Sequence, residues 1–221
     1  MYKTVREEIA IELRNRILKG EIKQGDRIKE TELAEEFGVS RGPIREVFRQ
    51  LEQEGLIEYS SRKGCTVKTI SASDSAEYYM LRANLENLAV RLCDGKYPEE
   101  VLNEMYEIIK RMDEYSKFED LIGIIGCDQK FHELIIKEAK KEKLFEMWST
   151  LNNANAIIFY ALYHSRYSPK EKLAGNHKLI VDAMKEGNPD IICDLIQEHY
   201  LIVSKNLYKT ENIDVDFQIK L

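Results

Sequence analysis

Only three residues, Gly38-Val39-Ser40, separate two short segments of helical character, one around Glu30–Phe37 and one from about Arg41 to Glu54. Two helices joined by a three- or four-residue turn containing glycine make a helix-turn-helix. The flanking residues extend the pattern. Residues 4–19 put Val5, Ile9, Leu13 and Ile17 on one face of an amphipathic helix, and Gly20 and Gly25-Asp26 then break the chain. After Gly55, Leu56-Ile57-Glu58-Tyr59 and Cys65-Thr66-Val67-Lys68 alternate like short strands, with Ser60 to Gly64 as the tip between them. The first 70 residues are therefore expected to form a winged helix-turn-helix.

The second helix of that unit carries the chemistry. Ser40 suits its N-cap, and Pro43 is tolerated in the first turn. Arg41, Arg45 and Arg49 recur every four residues and share one face, while Ile44, Val47, Phe48 and Leu51 share the other. Arginine bonds guanine O6 and N7 bidentately in the major groove. Arg62 and Lys63, beside Gly64 on the wing tip, are placed to reach the minor groove or the phosphates. The rival reading is a solvated face whose arginines pair with Glu46 and Glu52. Turn, cap, spacing and basic tip together favour DNA.

Overall charge argues the other way at first sight. The chain of 221 residues has net charge −6 and a pI near 5.5, which excludes a protein that coats nucleic acid non-specifically. The charge is unevenly spread. Residues 1–70 hold 14 Lys and Arg against 13 Asp and Glu, a balance of +1; the remainder holds 19 against 26, a balance of −7. A small polar stretch at residues 69–74 divides the two, giving an expected head over 1–70 and a body over 74–210. The N-terminus has no apolar stretch of signal-peptide type, and no window approaches a membrane span. Cys65, Cys93, Cys127 and Cys193 form no CxxC pair and read as scattered, buried thiols. The expected location is the cytoplasm.

The body reads as helix throughout, making the whole chain mainly α. Asp74 with Glu77 looks like a capping box, Pro98 like a first helical residue, Ser168-Pro169-Lys170-Glu171 like a helix start, and Gly187-Asn188-Pro189 like a stop followed by a start. About six helices are expected, near 74–94, 98–115, 119–139, 142–164, 169–186 and 189–208. Apolar residues recur at three and four spacing between these marks, as in Leu81, Leu85, Leu88 and Leu92, and are expected to form the core.

Four polar residues fall on inward faces. Asp128 and His132 lie four apart on the side of Ile124, Ile125, Ile135 and Ile136; His177 lies with Leu173, Ile180, Val181 and Met184; His199 lies with Ile192, Leu195, Ile196 and Val203. A carboxylate on a core stripe is costly unless paired or bound to a metal. Three imidazoles and one carboxylate suit a divalent ion, with Zn²⁺ first and Ni²⁺, Mn²⁺ or Co²⁺ as alternatives. His164, beside Ser165-Arg166, reads as surface or pocket rim. Arg82 is either the bidentate counter-charge for a bound carboxylate or an i,i+4 partner of Glu86. Asn152, Asn153 and Asn155 interrupt the sequence before an apolar run and are candidate pocket residues, Asn155 being named with Arg82 as an effector contact.

Residues 32–46, ELAEEFGVSRGPIRE, with LEQEGLI at 51–57 and the wing glycine Gly64, resemble the DNA-binding head of GntR-family bacterial transcription regulators. That resemblance implies operator contacts from Arg41, Arg45, Arg49 and the wing tip, with Gly42 standing where Thr or Ser is common. In the body, LRANLE at 81–86, DQKFH at 128–132, His177 with AMKEGN at 183–188, and His199 resemble the FCD effector domain of the FadR-type subfamily. The stretch Glu138-Ala139-Lys140-Lys141 departs from the small-residue-and-Asn pattern common there. The resemblance implies a divalent ion on Asp128, His132, His177 and His199, completed by a small carboxylate effector. The expectation is a ligand-responsive repressor, a homodimer on a palindromic operator. A direct metal sensor is the alternative. A helical metalloenzyme is disfavoured, because hydrolytic zinc sites usually keep three protein ligands and Glu133 points off the metal face.

Overall fold

A computed structural model describes residues 4–60, 64–152, 155–163 and 173–210. By their contacts they fall into two units. In the first, α1 (Val5–Leu18) and α2 (Glu30–Glu36) pack on α3 (Arg41–Gln53), and β1 (Ile57–Ser60) pairs antiparallel with β2 (Gly64–Val67) in the register Ile57↔Val67 to Ser60↔Gly64. Thr4 opens α1 with a full capping box, its hydroxyl accepting from Glu7 N and its own N–H donating to the Glu7 carboxylate. Ser40 occupies the N-cap of α3, but its hydroxyl makes no capping bond. Gly38 takes φ +64° in the turn, a conformation that costs other residues a steric penalty. Segment 25–28 joins β2 through Gly25 N to Val67 O and Ile28 N to Cys65 O, both 2.9 Å. Ile9, Leu13, Ile17, Ile44, Val47, Phe48 and Leu51 are buried between the helices. Arg14 ties α1 to the end of α3 by a two-point grip on Glu54, at 2.8 and 2.6 Å.

The second unit is helical: α4 (Ala72–Leu92), α5 (Glu99–Lys117), α6 (Leu121–Glu138), α7 (Glu142–Asn152), α9 (Leu173–Glu186) and α10 (Pro189–Thr210), with α8 (Asn155–Tyr163) between α7 and α9 in sequence. Helix α4 packs on α10, α6 and α7; α5 packs on α6 and α9; α9 also packs on α10. Residues 155–160 of α8 group by their contacts with the first unit, where Gln24 donates to the carbonyl of Ile157 at 3.4 Å.

Several boundaries differ from the sequence reading. Helix α4 starts at Ala72, because Ser71 supplies the cap and its hydroxyl accepts from Asp74 N at 3.0 Å. Pro98 is the N-cap of α5 rather than its first residue. The segment expected as one helix over 142–164 is two, α7 and α8, with asparagines at the end of one and the start of the other; asparagine competes with the helix for backbone hydrogen bonds. Ser168 to Glu171 and His164 lie outside the described residues.

The largest difference is a rotation of α4. Leu81, Leu88 and Leu92 are 48%, 47% and 48% exposed, and the buried face is instead Ser75, Tyr79, Arg82, Ala83, Glu86, Ala89 and Val90. The leucine stripe is apolar but faces outward. Helix α4 turns its polar residues inward because Arg82 and Glu86 find charged and hydrogen-bonding partners there.

Candidate metal centre and nucleic-acid interface

The inward faces of α4, α6, α9 and α10 meet at one buried polar centre. Asp128 and His132 are one turn apart on α6, His177 comes from α9 and His199 from α10, and the four offer ligand atoms all within 4.8 Å of one another. All four are buried. His177 Nε2 stands 3.2 Å from Asp128 Oδ1, and His132 Nε2 stands 3.7 Å from the same oxygen. The ring centroids of His177 and His199 are 4.6 Å apart, and those of His132 and His199 are 5.1 Å apart.

A second carboxylate supports the first. Glu86 Oε2 lies 2.8 Å from His132 Nδ1, while its Oε1 accepts from Trp148 Nε1 at 2.9 Å and from the Tyr200 hydroxyl at 2.7 Å. Burial alone would raise the Glu86 pKa, but His132, Arg82 and the Tyr200 bond outweigh it and hold the group below the ordinary carboxylate range. Glu86 is thus an acceptor, so the proton of His132 belongs on Nδ1. Its Nε2 then presents a lone pair toward the Asp128 carboxylate. Asp128 is likewise held low, the effect of burial being overcome by His132, His177 and Arg82. His199 goes the other way: burial, then the two neighbouring imidazoles, push it well below its usual value and keep the ring neutral.

Two ring nitrogens, His132 Nε2 and His199 Nδ1, are buried without a hydrogen-bond partner among the described residues. An unpaired buried acceptor costs about 1–3 kcal/mol. Buried imidazole nitrogens grouped with a carboxylate are the donor set of a cation, and a carboxylate behind the far nitrogen of one imidazole is the usual support of a metal ligand. The residues fit a divalent ion of the borderline class.

Arg82 is 1% exposed. Its guanidinium is sandwiched 5.0 Å above the Trp148 ring and 5.6 Å from the Tyr200 ring, with Nη2 3.8 Å from Glu86 Oε1. Tyr79 and Tyr200 also wall a cleft of about 220 Å³ between α4 and α10 that Met80, Ala83, Leu201 and Ser204 complete. Asn155, at the start of α8, is buried and belongs by its contacts to the first unit.

Glu86, Trp148 and Tyr200 were not among the residues singled out from sequence as part of the centre. The available signal was the spacing of Tyr79, Ala83, Glu86 and Val90 along α4, which the more conspicuous leucine stripe masked.

In the first unit, Arg41, Arg45 and Arg49 are all exposed on α3. Among the described residues, neither Glu46 nor Glu52 forms an ion pair with them. Arg41 bonds Glu30 of α2 at 2.9 Å, with Arg45 3.7 Å from the same carboxylate, and Glu46 instead faces Arg6 at 3.8 Å. Gly64, with φ +76°, opens β2 with the Arg27 guanidinium against it. Arg62 and Lys63 lie outside the described residues.

A winged helix-turn-helix followed by a helical unit with a buried polar centre has the architecture of a DNA-binding regulator. Comparison with known proteins gives the same class. Residues 5–67 match the pattern described as "Bacterial regulatory proteins, gntR family", and residues 77–201 match the FCD domain. An HTH-type transcriptional regulator of Bacillus subtilis, YdhC, is 32% identical over 193 residues, spanning 86% of this chain and 84% of that protein. The gluconate operon transcriptional repressor of Bacillus licheniformis is 26% identical over 196 residues, 87% of this chain and 80% of that one. The solved structure of E. coli McbR/YncC has the same fold, with a TM-score of 0.72 at 21% identity, covering 96% of this chain and all of that one. The chain belongs to the GntR family of DNA-binding transcriptional regulators and carries an FCD domain. Its family and relatives are regulators, not enzymes. No helix among the described residues is long and apolar enough to cross a membrane.

Proposed function

We propose that the protein is a cytoplasmic repressor whose operator affinity is set by a small carboxylate bound at a divalent metal in the FCD domain. The observation that carries this reading is the pair of buried imidazole nitrogens, His132 Nε2 and His199 Nδ1, that have no hydrogen-bond partner among the described residues and belong to a group of four side chains whose ligand atoms lie within 4.8 Å of one another. Asp128, His132, His177 and His199 would hold the ion, and Zn²⁺ suits them best. When bound, the ion supplies a Lewis-acidic position for an anionic oxygen.

Charge balance favours a carboxylate as the effector. With the imidazoles neutral, as ligands must be, the buried charges are Asp128, Glu86 and Arg82, a net of about −1. A divalent ion turns that into about +1, and one carboxylate neutralises it. A neutral buried centre avoids the large desolvation cost of an uncompensated charge. Arg82 is proposed as an effector contact. The relatives named as repressors, of the gluconate operon and of a D-xylose utilization operon, support the sign of regulation.

On the DNA side, residues 1–70 are the proposed reading head, and Ser40, Arg41, Arg45, Arg49, Arg62, Lys63 and Gly64 the contacting residues. A homodimer would set two heads on half-sites about one helical turn apart. The body over 74–210 would act by preferring one arrangement of the heads when the effector is bound.

The test uses a duplex selected from random sequence by the protein itself, with affinity followed by fluorescence anisotropy. Zinc-loaded protein should lose operator affinity on addition of a carboxylate from a panel of small mono- and dicarboxylates. Chelated protein should not respond to the carboxylate. A change on chelation alone, with no carboxylate effect, would assign the signal to the metal. Absence of bound metal after growth in zinc overturns the reading.

A further inference from the structure

Most of the arginines of the head are paired within it. Arg6 faces Glu46, Arg14 grips Glu54, Arg16 pairs with Glu12 and Glu36, and Arg41 and Arg45 share Glu30. Among the described residues, Arg27 and Arg49 are the arginines of the head that form no ion pair, and both are exposed. Arg49 lies on the reading helix. Arg27 lies before α2, where no helical or alternating pattern gave it a role.

Backbone pairing makes Arg27 part of the wing. Gly25 N donates to Val67 O, Ile28 N to Cys65 O and Val67 N to Asp26 O, each at 2.9 Å, and Arg27 bridges Thr66 antiparallel. Residues 25–28 thus lie along β2 as a third extended segment. Side chains opposite one another in such a pair share a face, as do residues two apart on one strand. Arg27, Thr66 and Gly64 therefore line one face, and the buried Cys65 and Val67 take the other. The Arg27 guanidinium runs along that face to the start of β2. Its Nη2, Nε and Cζ stand 3.4, 3.6 and 3.9 Å from the point where a Cβ on Gly64 would be. Because position 64 has no side chain, the group lies against bare backbone and its outer edge stays in solvent. Three residues further on, Glu30 holds Arg41 at 2.9 Å and stands 3.7 Å from Arg45. The short segment 27–30 therefore spans from the wing glycine to the arginines of α3.

The ridge that separates a major groove from the neighbouring minor groove is a sugar–phosphate strand. A cation placed between a major-groove helix and a wing tip faces that ridge, and a guanidinium binds phosphate with two parallel hydrogen bonds. We propose that Arg27 is a phosphate contact of the head, gripping the DNA strand that runs between the groove read by α3 and the wing. The proposal rests on the assignment of α3 as the reading helix and adds a contact that fixes register without reading bases. A head whose charge balance is only +1 depends on such unpaired cations for its attraction to the backbone.

The test measures affinity of the full-length protein for the selected operator and for an unrelated duplex, across a range of salt concentration. Arg27→Met keeps the stem beside Thr66 and removes the charge, whereas Arg27→Lys keeps the charge. One phosphate contact contributes a slope of about 0.9 in log K against log[salt], which is about eightfold in affinity at 0.1 M salt relative to 1 M. Arg27→Met should lose that factor per head on both duplexes, with the slope shallower by about 0.9 per head, and Arg27→Lys should keep most of the slope. An unchanged slope in Arg27→Met overturns the contact. Weaker binding of the operator alone, at unchanged slope, makes Arg27 a positioning residue of the wing and also overturns it. Equal loss of binding and of Tm in both variants assigns a packing role in its place. Arg45→Ala, measured alongside, separates this contact from the reading helix. Full operator affinity in Arg45→Ala overturns the α3 assignment, whereas a weakened Arg45→Ala beside an Arg27→Met of unchanged slope overturns the Arg27 contact alone.

Discussion

Replacing Glu86 by alanine should destabilise the FCD domain more than any exposed substitution can, because its carboxylate is the common acceptor of three buried donors. His132 Nδ1 at 2.8 Å, Trp148 Nε1 at 2.9 Å and the Tyr200 hydroxyl at 2.7 Å all lose their acceptor in Glu86→Ala. Arg82, 3.8 Å away, loses a counter-charge as well. Hydrogen bonds to a charged group contribute about 1.5–3 kcal/mol each. They are not additive in a shared network, and breaking one side of a buried ion pair costs about 3–5 kcal/mol, which we take as the expected loss. For a unit of this size, that lowers Tm by roughly 10–20 °C. Glu86→Gln keeps one acceptor oxygen in place and should cost about 1–3 kcal/mol. The assay is thermal unfolding by circular dichroism in the presence of a chelator, so that metal binding does not contribute. A second readout separates support of the ligand from packing. Zinc affinity, titrated against a chromophoric chelator, should fall roughly 10–100-fold in Glu86→Gln, because an amide no longer fixes the proton on His132 Nδ1. An alanine variant that melts within about 2 °C of wild type and binds zinc as tightly refutes the assignment of Glu86 as the support of the centre.

Two further outcomes are expected. Arg45→Ala should weaken binding to the selected operator by roughly 10- to 150-fold, the value of one base-reading arginine. The fold should be intact, since Arg45 is exposed and its 3.7 Å approach to Glu30 is a surface pair; full-affinity binding in a titration would count against α3 as the reading helix. Stability of the metal-free protein should fall with acid. The unfolded chain takes up a proton on His199 near pH 6.5, which the buried neutral ring resists, so stability is complete above that pH and declines below it. Asp128 and Glu86, both held low, add a further loss in the same direction beneath about pH 4. Between pH 7.5 and 5.5 the expected loss is about 1 kcal/mol, read as a lower Tm that His199→Gln largely abolishes. A Tm independent of pH over that range would exclude a buried neutral His199.

Local sequence carried the head almost completely. A three-residue turn, the four-residue spacing of Arg41, Arg45 and Arg49 against Ile44, Val47, Phe48 and Leu51, and two alternating stretches are short-range signals that backbone geometry turns directly into helices and strands. The inward placement of Asp128, His132, His177 and His199 was legible for the same reason, because each lies on an apolar face set by the helical period.

What local spacing left open was which face of α4 is inside. Apolar content pointed to the leucines, but burial is decided by partners. Glu86 gains an indole, a phenol and an imidazole, and Arg82 two aromatic faces, from α6, α7 and α10, contributions that lie 46 to 118 residues away in the chain. No pattern within one helix encodes such partners. The sequence by itself therefore determined the helices and strands of the head, the arginine face of α3 and the inward placement of the four candidate ligands. Tertiary structure alone decided that a carboxylate, an indole and a phenol complete the centre, and that the leucines of α4 are left facing outward.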